Sequence, residues 1–257
     1  QQTWWFDERR DIVAATDGQP PAFGVLDTGL TPQQADTLRA AGVQLARLPE
    51  IPMIRRRAFE KQPHSAVDLA KPWLNKIFPG YETVIWLDGD TWVQDFAAVR
   101  LVHGAAQTGA LAIVPGAGRS WERQSEVRWL FGGIGGLCQM RSYLFKNGRH
   151  AGLPLAVLRD IGSRALLNGG VFALRADAPH WQNMQAHQGR ILHNGGKPFT
   201  SDGLAMALAV YTDGLPVQLL PDTCNYIRPW RVDLSAPALV EYYYPYPRVG
   251  IVHLAAQ

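Results

Sequence analysis

The sequence predicts an α/β fold in which helices flank a mostly parallel central sheet. Strand patterns and helix patterns alternate through residues 22–115, and the connections between them are short. The apolar run Thr83–Leu87 is continuous rather than alternating, which is typical of a strand buried on both faces inside a parallel sheet. With 257 residues, the chain can form one large domain or two small ones.

The composition is that of a globular enzyme, with 47% hydrophobic and 18% charged residues. The net charge of +3 is too small to indicate nucleic acid, although it fits a site that holds an anion. Cys138 and Cys224 have neither metal-binding nor disulfide spacing, so we expect a reducing compartment and a cytoplasmic location. No apolar run reaches the length of a membrane span. We expect Trp4, Trp5 and Phe6 in the core, with peripheral contact to the inner face of the cell membrane as the alternative.

The first half of the chain divides at recognisable boundaries. Thr31 is expected to cap a helix, with Pro32 in its first turn and Gln34 three residues on. Arg55–Arg57 lie in a basic stretch, residues 51–64, that we expect to be a solvated loop or helix face. The predicted helices cover residues 4–16, 31–41, 65–78 and 96–108, and the predicted strands cover residues 22–27, 43–48, 83–87 and 110–115.

The second half contains two glycine-rich interruptions. Gly132–Gly136 predicts either a mobile loop near a site or a plain surface loop. Asn168, Gly169 and Gly170 interrupt the apolar strand Leu166–Leu174, which indicates a bulge or a close approach of a ligand to the backbone. The other predicted elements are helices at 179–188 and at 203–210, the latter capped by Ser201 and Asp202, and strands at 216–220 and at 249–254, where His253 lies.

Asp88 and Asp90 follow the strand Thr83–Leu87 directly. Their side chains are expected on one face, because the period of a strand is two residues. They also lie at a carboxyl end, where sheets of this kind open into a ligand-binding crevice. Two carboxylates repel each other there unless a cation lies between them, so we expect a divalent cation with a phosphate-bearing ligand. The alternative is a surface turn that uses Asp and Gly as turn formers.

Taken in order, these motifs resemble the metal-dependent, nucleotide-sugar-binding glycosyltransferases of the GT-A fold. The resemblance covers residues 22–254 and is closest to the retaining galactosyl- and glucosyltransferase family that includes glycogenin and bacterial lipopolysaccharide transferases. It implies a single GT-A-like domain over residues 1–257, with nucleotide and metal bound by about 1–115 and donor sugar and acceptor by about 116–257. The motifs that carry it are Asp88-Gly89-Asp90 after an apolar strand, Asn168-Gly169-Gly170-Val171, Asp202 at the start of a helix, and His253 at the end of a late strand.

The resemblance implies a metal site and a reaction. Asp88, Asp90 and His253 would hold Mn²⁺ or Mg²⁺, which bridges the diphosphate of the donor and neutralises that leaving group. The expected activity is that of a bacterial hexosyltransferase in polysaccharide biosynthesis. It would take a UDP-sugar as donor and a saccharide or lipid-linked saccharide as acceptor, with retention at the anomeric carbon.

The resemblance also implies donor-binding residues. Lys71 stands where the family carries a basic residue that contacts the donor. Asn168, Gly169 and Gly170 match the strand that lines the donor-sugar and acceptor side, with Asn168 as a catalytic candidate. Asp202 matches the acid that hydrogen-bonds donor-sugar hydroxyls and is the second catalytic candidate.

Departures from the family pattern leave two alternatives open. Gly203 stands where much of the family carries Gln, at a position linked to the retaining mechanism. We expect that the family's base-binding strand, ahead of residues 4–16, and its Lys-Pro-Trp segment after the His are trimmed or supplied in another way, or that this protein binds its donor poorly. One alternative is a haloacid-dehalogenase-type phosphatase with Asp88 as nucleophile and Asp90 as acid/base. The other is a non-catalytic, glycosyltransferase-like saccharide-binding module. The sequence does not indicate an oligomeric state.

Overall fold

The computed structural model describes residues 21–47, 65–118, 125–129, 134–136 and 138–255. The strands of this part are β1 Gly24–Leu26, β2 Gln44–Ala46, β3 Thr83–Leu87, β4 Thr91–Val93, β5 Leu111–Gly116, β6 Ser125–Trp129, β7 Cys138–Ser142, β8 Leu166–Arg175, β9 Val217–Leu219, β10 Trp230–Asp233, β11 Ala238–Glu241 and β12 Ile251–His253. The α-helices are α1 Pro32–Ala40, α2 Ser65–Ala70, α3 Leu74–Ile77, α4 Phe96–Gln107, α5 Tyr143–His150, α6 Leu155–Ile161, α7 His180–His193 and α8 Ser201–Tyr211. Short 3₁₀ helices form at Lys71–Trp73 and Asp222–Cys224.

Four strands form the central sheet in the order β3-β8-β5-β9. β5 and β9 are parallel, whereas β8 pairs antiparallel with both β3 and β5. Strands β3, β5 and β9 therefore run in one direction, and the predicted α/β class with a mostly parallel sheet is confirmed. β8 is the exception. Outside this sheet, β1 and β2 form a parallel pair, and β12 pairs antiparallel with β4.

Strand β8 is buried on both faces of the central sheet, and its alternate side chains enter two different clusters. Phe172 and Leu174 pack with side chains of α7 and α8 on one face. Val171 and Ala173 pack with side chains of α4 on the other. All four side chains are fully buried, and fully burying a large apolar side chain contributes about 1.5–3 kcal/mol relative to exposure. Strand β3 differs, because all five of its residues are half-buried and it pairs antiparallel with β8 at the end of the sheet order, so the prediction that Thr83–Leu87 is buried on both faces between parallel strands is wrong.

The glycines of β8 lie at an irregularity in the sheet. Ile113 of β5 lies opposite Phe172, but its neighbour Val114 lies opposite Asn168, so the register shifts between them. The residues of β8 between those two partners bulge out of the ladder with β5. The bulge predicted from Asn168, Gly169 and Gly170 is confirmed.

The helix predicted over residues 65–78 is divided into three pieces. α2 ends at Ala70, a 3₁₀ helix covers Lys71–Trp73, and α3 begins at Leu74. Pro72 has no backbone N–H, which prevents a regular α-helical hydrogen bond there. The tighter turn leaves Lys71 buried, with 4% of its surface exposed.

Helix α8 begins two residues earlier than predicted. Ser201 and Asp202 lie inside its first turn, and Thr200 occupies the N-cap position with φ 72° and no capping side-chain hydrogen bond. The prediction that Ser201 and Asp202 cap this helix is therefore wrong, because the chain already turns at Thr200. The Asp202 carboxylate is instead available to side chains from other elements.

Several elements lie where the sequence patterns predict none, and helix α7 runs on to His193 beyond its predicted end at residue 188. The unpredicted elements are helices α5 and α6 and the hairpins β6–β7 and β10–β11. Residues 134–136 of the predicted Gly132–Gly136 loop form a short 3₁₀ turn. The helix predicted at 4–16, with Trp4, Trp5 and Phe6, and the basic stretch 51–64 lie outside the described residues. No helix in the part that is described has both the length and the apolar character needed to cross a membrane.

Candidate metal centre and the carboxylate cluster beside it

A tight turn between β3 and β4 presents the two aspartates. The Asp88 carbonyl accepts hydrogen bonds from the Thr91 amide, at 3.0 Å, and from the Thr91 hydroxyl, at 2.7 Å. The Asp88 amide donates to the Gly170 carbonyl of β8 at 2.8 Å. Because β12 pairs with β4, His253 lies opposite Thr91, and the Leu254 amide donates to the Asp90 carbonyl at 2.9 Å. The backbone thus holds the late strand against the aspartate turn.

Asp88, Asp90 and His253 can hold a metal ion together. One ligand atom from each residue lies within 4.8 Å of the others. His253 Nε2 is 3.3 Å from Asp90 Oδ1 and 3.8 Å from Asp88 Oδ2. Two carboxylate oxygens and an imidazole nitrogen suit Mn²⁺ or Mg²⁺. The donor set therefore fits the divalent cation that the sequence indicates, and this cluster, predicted from segments far apart in the chain, is confirmed as a group of neighbours.

The Asp88 carboxylate is oriented by two further groups. The Trp86 indole N–H donates to its Oδ1 at 2.7 Å, and Lys71 Nζ lies 3.0 Å from the same oxygen. The other carboxylate oxygen, Oδ2, faces His253. Trp86 was not predicted as a site residue, although its position two residues before Asp88 on a strand places both side chains on one face.

Lys71 lies at the centre of what we call the carboxylate cluster, formed by Asp68, Asp88 and Asp202. Its Nζ is 3.0 Å from Asp88, 3.3 Å from Asp202 and 3.7 Å from Asp68. Burial by itself lowers the pKa of Lys71, but the negative charges of Asp202, Asp88 and Asp68 outweigh it, and the pKa is raised above its ordinary value. Lys71 is therefore a permanently charged bridge between the metal centre and Asp202.

Asp68 is a member of this cluster that sequence reasoning missed. Burial, and next the charge of Asp202, raise the pKa of its carboxyl to about 7, against a lowering by Lys71. Its spacing of three residues from Lys71 on a helix was the available signal, since such residues share a face. The residues from Ser65 to Trp73 are brought here by Gln188 of α7, which accepts from the Trp73 indole N–H at 3.0 Å and donates to the Asp68 carbonyl at 3.1 Å.

The glycines of β8 let its backbone lie close to both the candidate metal centre and the carboxylate cluster. A Cβ on Gly170 would lie 2.6 Å from His253 Nδ1 and 3.2 Å from Asp88 Oδ2, which is closer than carbon and nitrogen atoms pack. A Cβ on Gly169 would lie 3.1 Å from Asp202 Oδ2. The groups that approach the backbone here are candidate site residues, and the predicted close approach of a ligand stays a prediction.

Asn168, beside the two glycines, carries a buried donor without a partner among the described residues. Its Oδ1 accepts from the Gly170 amide at 3.1 Å, whereas its buried Nδ2 has no hydrogen-bond partner among the described residues. A buried amide group of this kind is usually satisfied, and an unsatisfied one commonly marks a functional position. Gly203, by contrast, has room for a side chain, since an added Cβ would meet only Leu166 and the Leu167 carbonyl, both at 3.8 Å.

The predicted site residues thus lie in one region of the molecule, although their individual roles remain predictions. Three carboxylates contact the Lys71 ammonium group, and Asp90 adds a fourth carboxylate beside His253, an excess of negative charge that favours binding of a cation. The residues gathered here are Lys71, Asp88, Asp90, Asn168, Gly169, Gly170, Asp202 and His253.

Comparison with known proteins yields backbone likeness only. No protein-family model matches the chain, and no curated protein sequence matches it. The crystal structure of mouse xyloside xylosyltransferase 1 in its apo form is similar with a TM-score of 0.46 and 12% identity, over 88% of this chain and 82% of that one. A structure described as mannose-1-phosphate geranyltransferase from Thermus thermophilus has a TM-score of 0.31 and 17% identity, over 81% of this chain and 58% of that one. At these low scores the assignment of function depends on the side chains of the site.

Proposed function

We propose that this chain is a metal-dependent glycosyltransferase that moves a hexose from a nucleotide diphosphate donor, a UDP-sugar, to a saccharide or lipid-linked saccharide. The observation that carries the proposal is the meeting of Asp88, Asp90 and His253, with ligand atoms within 4.8 Å of one another, directly beside the Lys71–Asp202 ion pair. A bound Mn²⁺ or Mg²⁺ would supply charge neutralisation of the diphosphate leaving group. The family resemblance in motif order adds the GT-A-like, single-domain interpretation.

The residues beside the metal centre are suited to position the donor. Lys71 Nζ contacts Asp88 on one side and Asp202 on the other, so a positive charge stands between the metal ligands and the proposed sugar side. Asp202 is 5% exposed, and its carboxylate would accept hydrogen bonds from donor-sugar hydroxyls. The unpaired Nδ2 of Asn168 would donate to an oxygen of the donor sugar or acceptor. We propose retention at the anomeric carbon, on the resemblance alone.

An exposed aromatic surface supports the acceptor part of the proposal. Tyr226 ties this surface to the metal centre, because its carbonyl accepts from the His253 amide at 2.8 Å and its hydroxyl donates to the Pro229 carbonyl at 2.6 Å. Aromatic rings with polar tips suit a partner that is partly apolar and partly hydrated, such as a sugar face. The exposed rings of the hairpin β10–β11 and the residues after it are Trp230, Tyr242, Tyr243, Tyr244 and Tyr246.

Calorimetric titration of UDP, with and without Mn²⁺, tests the donor site. Wild type should bind UDP only with the metal. Asp90→Asn should weaken that binding by more than the roughly 10–100-fold that loss of a ligand-orienting partner costs. Asp36→Asn is the matched control, since that carboxylate is exposed and its ion pair within the described part of the chain is with Arg39, three residues on.

The alternatives give different results in the same experiment. If wild type binds UDP under no metal condition, the transferase proposal is wrong. Metal-dependent hydrolysis of a phosphate monoester that Asp88→Asn abolishes would then favour the phosphatase. Saccharide binding without either activity would favour the non-catalytic module. If UDP binding is confirmed, proton NMR of the transferred sugar reports retention or inversion.

A further inference from the structure

Behind the candidate metal centre, on the side of His253 away from the aspartates, lies a buried amide that the sequence motifs do not single out. Asn225 Oδ1 is 2.9 Å from His253 Nδ1, and the two residues are 1% and 7% exposed. We propose that Asn225 is a positioning residue that holds the His253 ring as the Nδ1–H tautomer, so that the Nε2 lone pair points at the aspartates. This inference rests on the proposed metal role of His253.

The orientation of the Asn225 amide follows from its second hydrogen bond. Its Nδ2 donates to the Asn168 carbonyl at 3.4 Å, and a carbonyl oxygen can only accept. The amide oxygen must therefore be the atom that faces His253 Nδ1, and Nδ1 must carry the proton. In a neutral imidazole the other nitrogen, Nε2, is then unprotonated and able to bind a metal.

The backbone fixes Asn225 relative to the ring. The backbone N–H of Asn225 donates to the Asp222 carbonyl at 3.0 Å, and this hydrogen bond closes a 3₁₀ turn. The backbone N–H of the next residue, Tyr226, donates to the Ile251 carbonyl at 2.9 Å. The Tyr226 carbonyl accepts from the backbone N–H of His253 at 2.8 Å. Strand β12 is thus held on both sides of Val252, the residue before His253, by the segment that carries the Asn225 side chain.

The ring itself has little freedom to turn. The bare backbone of Gly170 packs against its Nδ1 edge so closely that a Cβ there would lie 2.6 Å from Nδ1. On the other edge, Nε2 faces Asp90 Oδ1 at 3.3 Å and Asp88 Oδ2 at 3.8 Å. Hydrogen bonding to the distal nitrogen of a histidine ligand is the usual way in which proteins fix ring orientation and tautomer for a metal. Asn225 also joins His253 to Asn168, so one amide links the metal centre to the proposed sugar pocket.

The experiment is nitrogen-15 NMR of the histidine rings in metal-free protein, with the pH raised until the spectrum shows each ring in its neutral form. Wild-type His253 should show a protonated Nδ1 and an unprotonated Nε2. His180 is an internal control of opposite tautomer, because its Nε2 lies 2.8 Å from the Pro216 carbonyl and must donate to it. Asn225→Leu should lose the Nδ1–H preference at His253 and leave His180 unchanged. Asn225→Asp, which retains an acceptor oxygen, should preserve the preference.

A neutral wild-type His253 ring with its proton on Nε2 would overturn the inference without any variant. An unchanged His253 tautomer in Asn225→Leu would overturn it as well. Mn²⁺ affinity, measured by calorimetry, should fall about 10–100-fold in Asn225→Leu and much less in Asn225→Asp. If wild type shows the expected tautomer but binds no metal, the proposed function fails while the assignment of Asn225 to the ring stands.

Discussion

Replacing Gly170 by alanine should disrupt the candidate metal centre through a single methyl group. The added Cβ would lie 2.6 Å from His253 Nδ1 and 3.2 Å from Asp88 Oδ2, whereas unstrained contacts of this kind need about 3.4–4 Å. Either the imidazole or strand β8 must therefore move by roughly 1 Å. Neither moves freely, because Asn225 and the β12 backbone hold the ring, and β8 lies between β3 and β5.

Overpacking of this kind costs about 1–3 kcal/mol, and we expect Gly170→Ala to lower the free energy of unfolding in urea by that amount. Because the displaced ring carries a proposed ligand, Mn²⁺ affinity should also fall, by at least about tenfold. Gly89→Ala is the matched control. Gly89 lies between the two aspartates, but a Cβ there would meet nothing within 4 Å. The free energy of unfolding of Gly89→Ala should therefore differ from that of wild type by less than about 0.5 kcal/mol. Equal effects of the two substitutions on metal binding would refute the reasoning.

Two further predictions concern the carboxylate cluster. The pKa of Asp68 is about 7 in the folded protein, against an ordinary value of 3.8. The stability that the protonated Asp68 carboxyl contributes is therefore fully present below its pKa in the unfolded chain, and it is lost as the pH rises through its folded-state pKa of about 7. Between about pH 4 and pH 8, the free energy of unfolding of Asp68→Asn should rise relative to that of wild type by on the order of 2 kcal/mol. Urea denaturation of the metal-free proteins measures this difference. Free energies of unfolding that change in parallel with pH in the two proteins would contradict the prediction. Lys71→Met leaves three carboxylates without their shared cation and should cost about 3–5 kcal/mol. Lys76→Met removes an exposed hydrogen bond to Gln185 and a cation–π contact with the Trp73 ring, and it should cost only about 1 kcal/mol. A similar loss in both variants would show that burial of the Lys71 charge is not the cause.

Of the three candidate metal ligands, Asp88 and Asp90 could be predicted from the residues themselves, whereas His253 was indicated as a ligand only by the family resemblance. Asp88 and Asp90 follow an apolar strand, and His253 ends another. Their partners carry no such signal. Asn225 lies in an irregular segment, and it meets His253 only because the Tyr226 backbone pairs beside β12. Asp68 reaches the site through Gln188, which is 120 residues away in the chain. Contacts of this range depend on how helices pack on the sheet, which periodicity does not encode.

The direction of β8 determines whether the Asn168-Gly169-Gly170 motif can join the site at all. Strand β3 delivers Asp88 at its carboxyl end, and the antiparallel register places Val171 opposite Leu87 and Arg175 opposite Thr83. The early residues of β8 therefore lie beside the late residues of β3. In a parallel arrangement they would lie at the opposite edge, about 13 Å away for four residues of strand. A hint was present in the sequence, since the polar and glycine residues stand at the beginning of this strand rather than at its end. A strand that must present its amino-terminal residues at the carboxyl edge of its neighbours can only run against them.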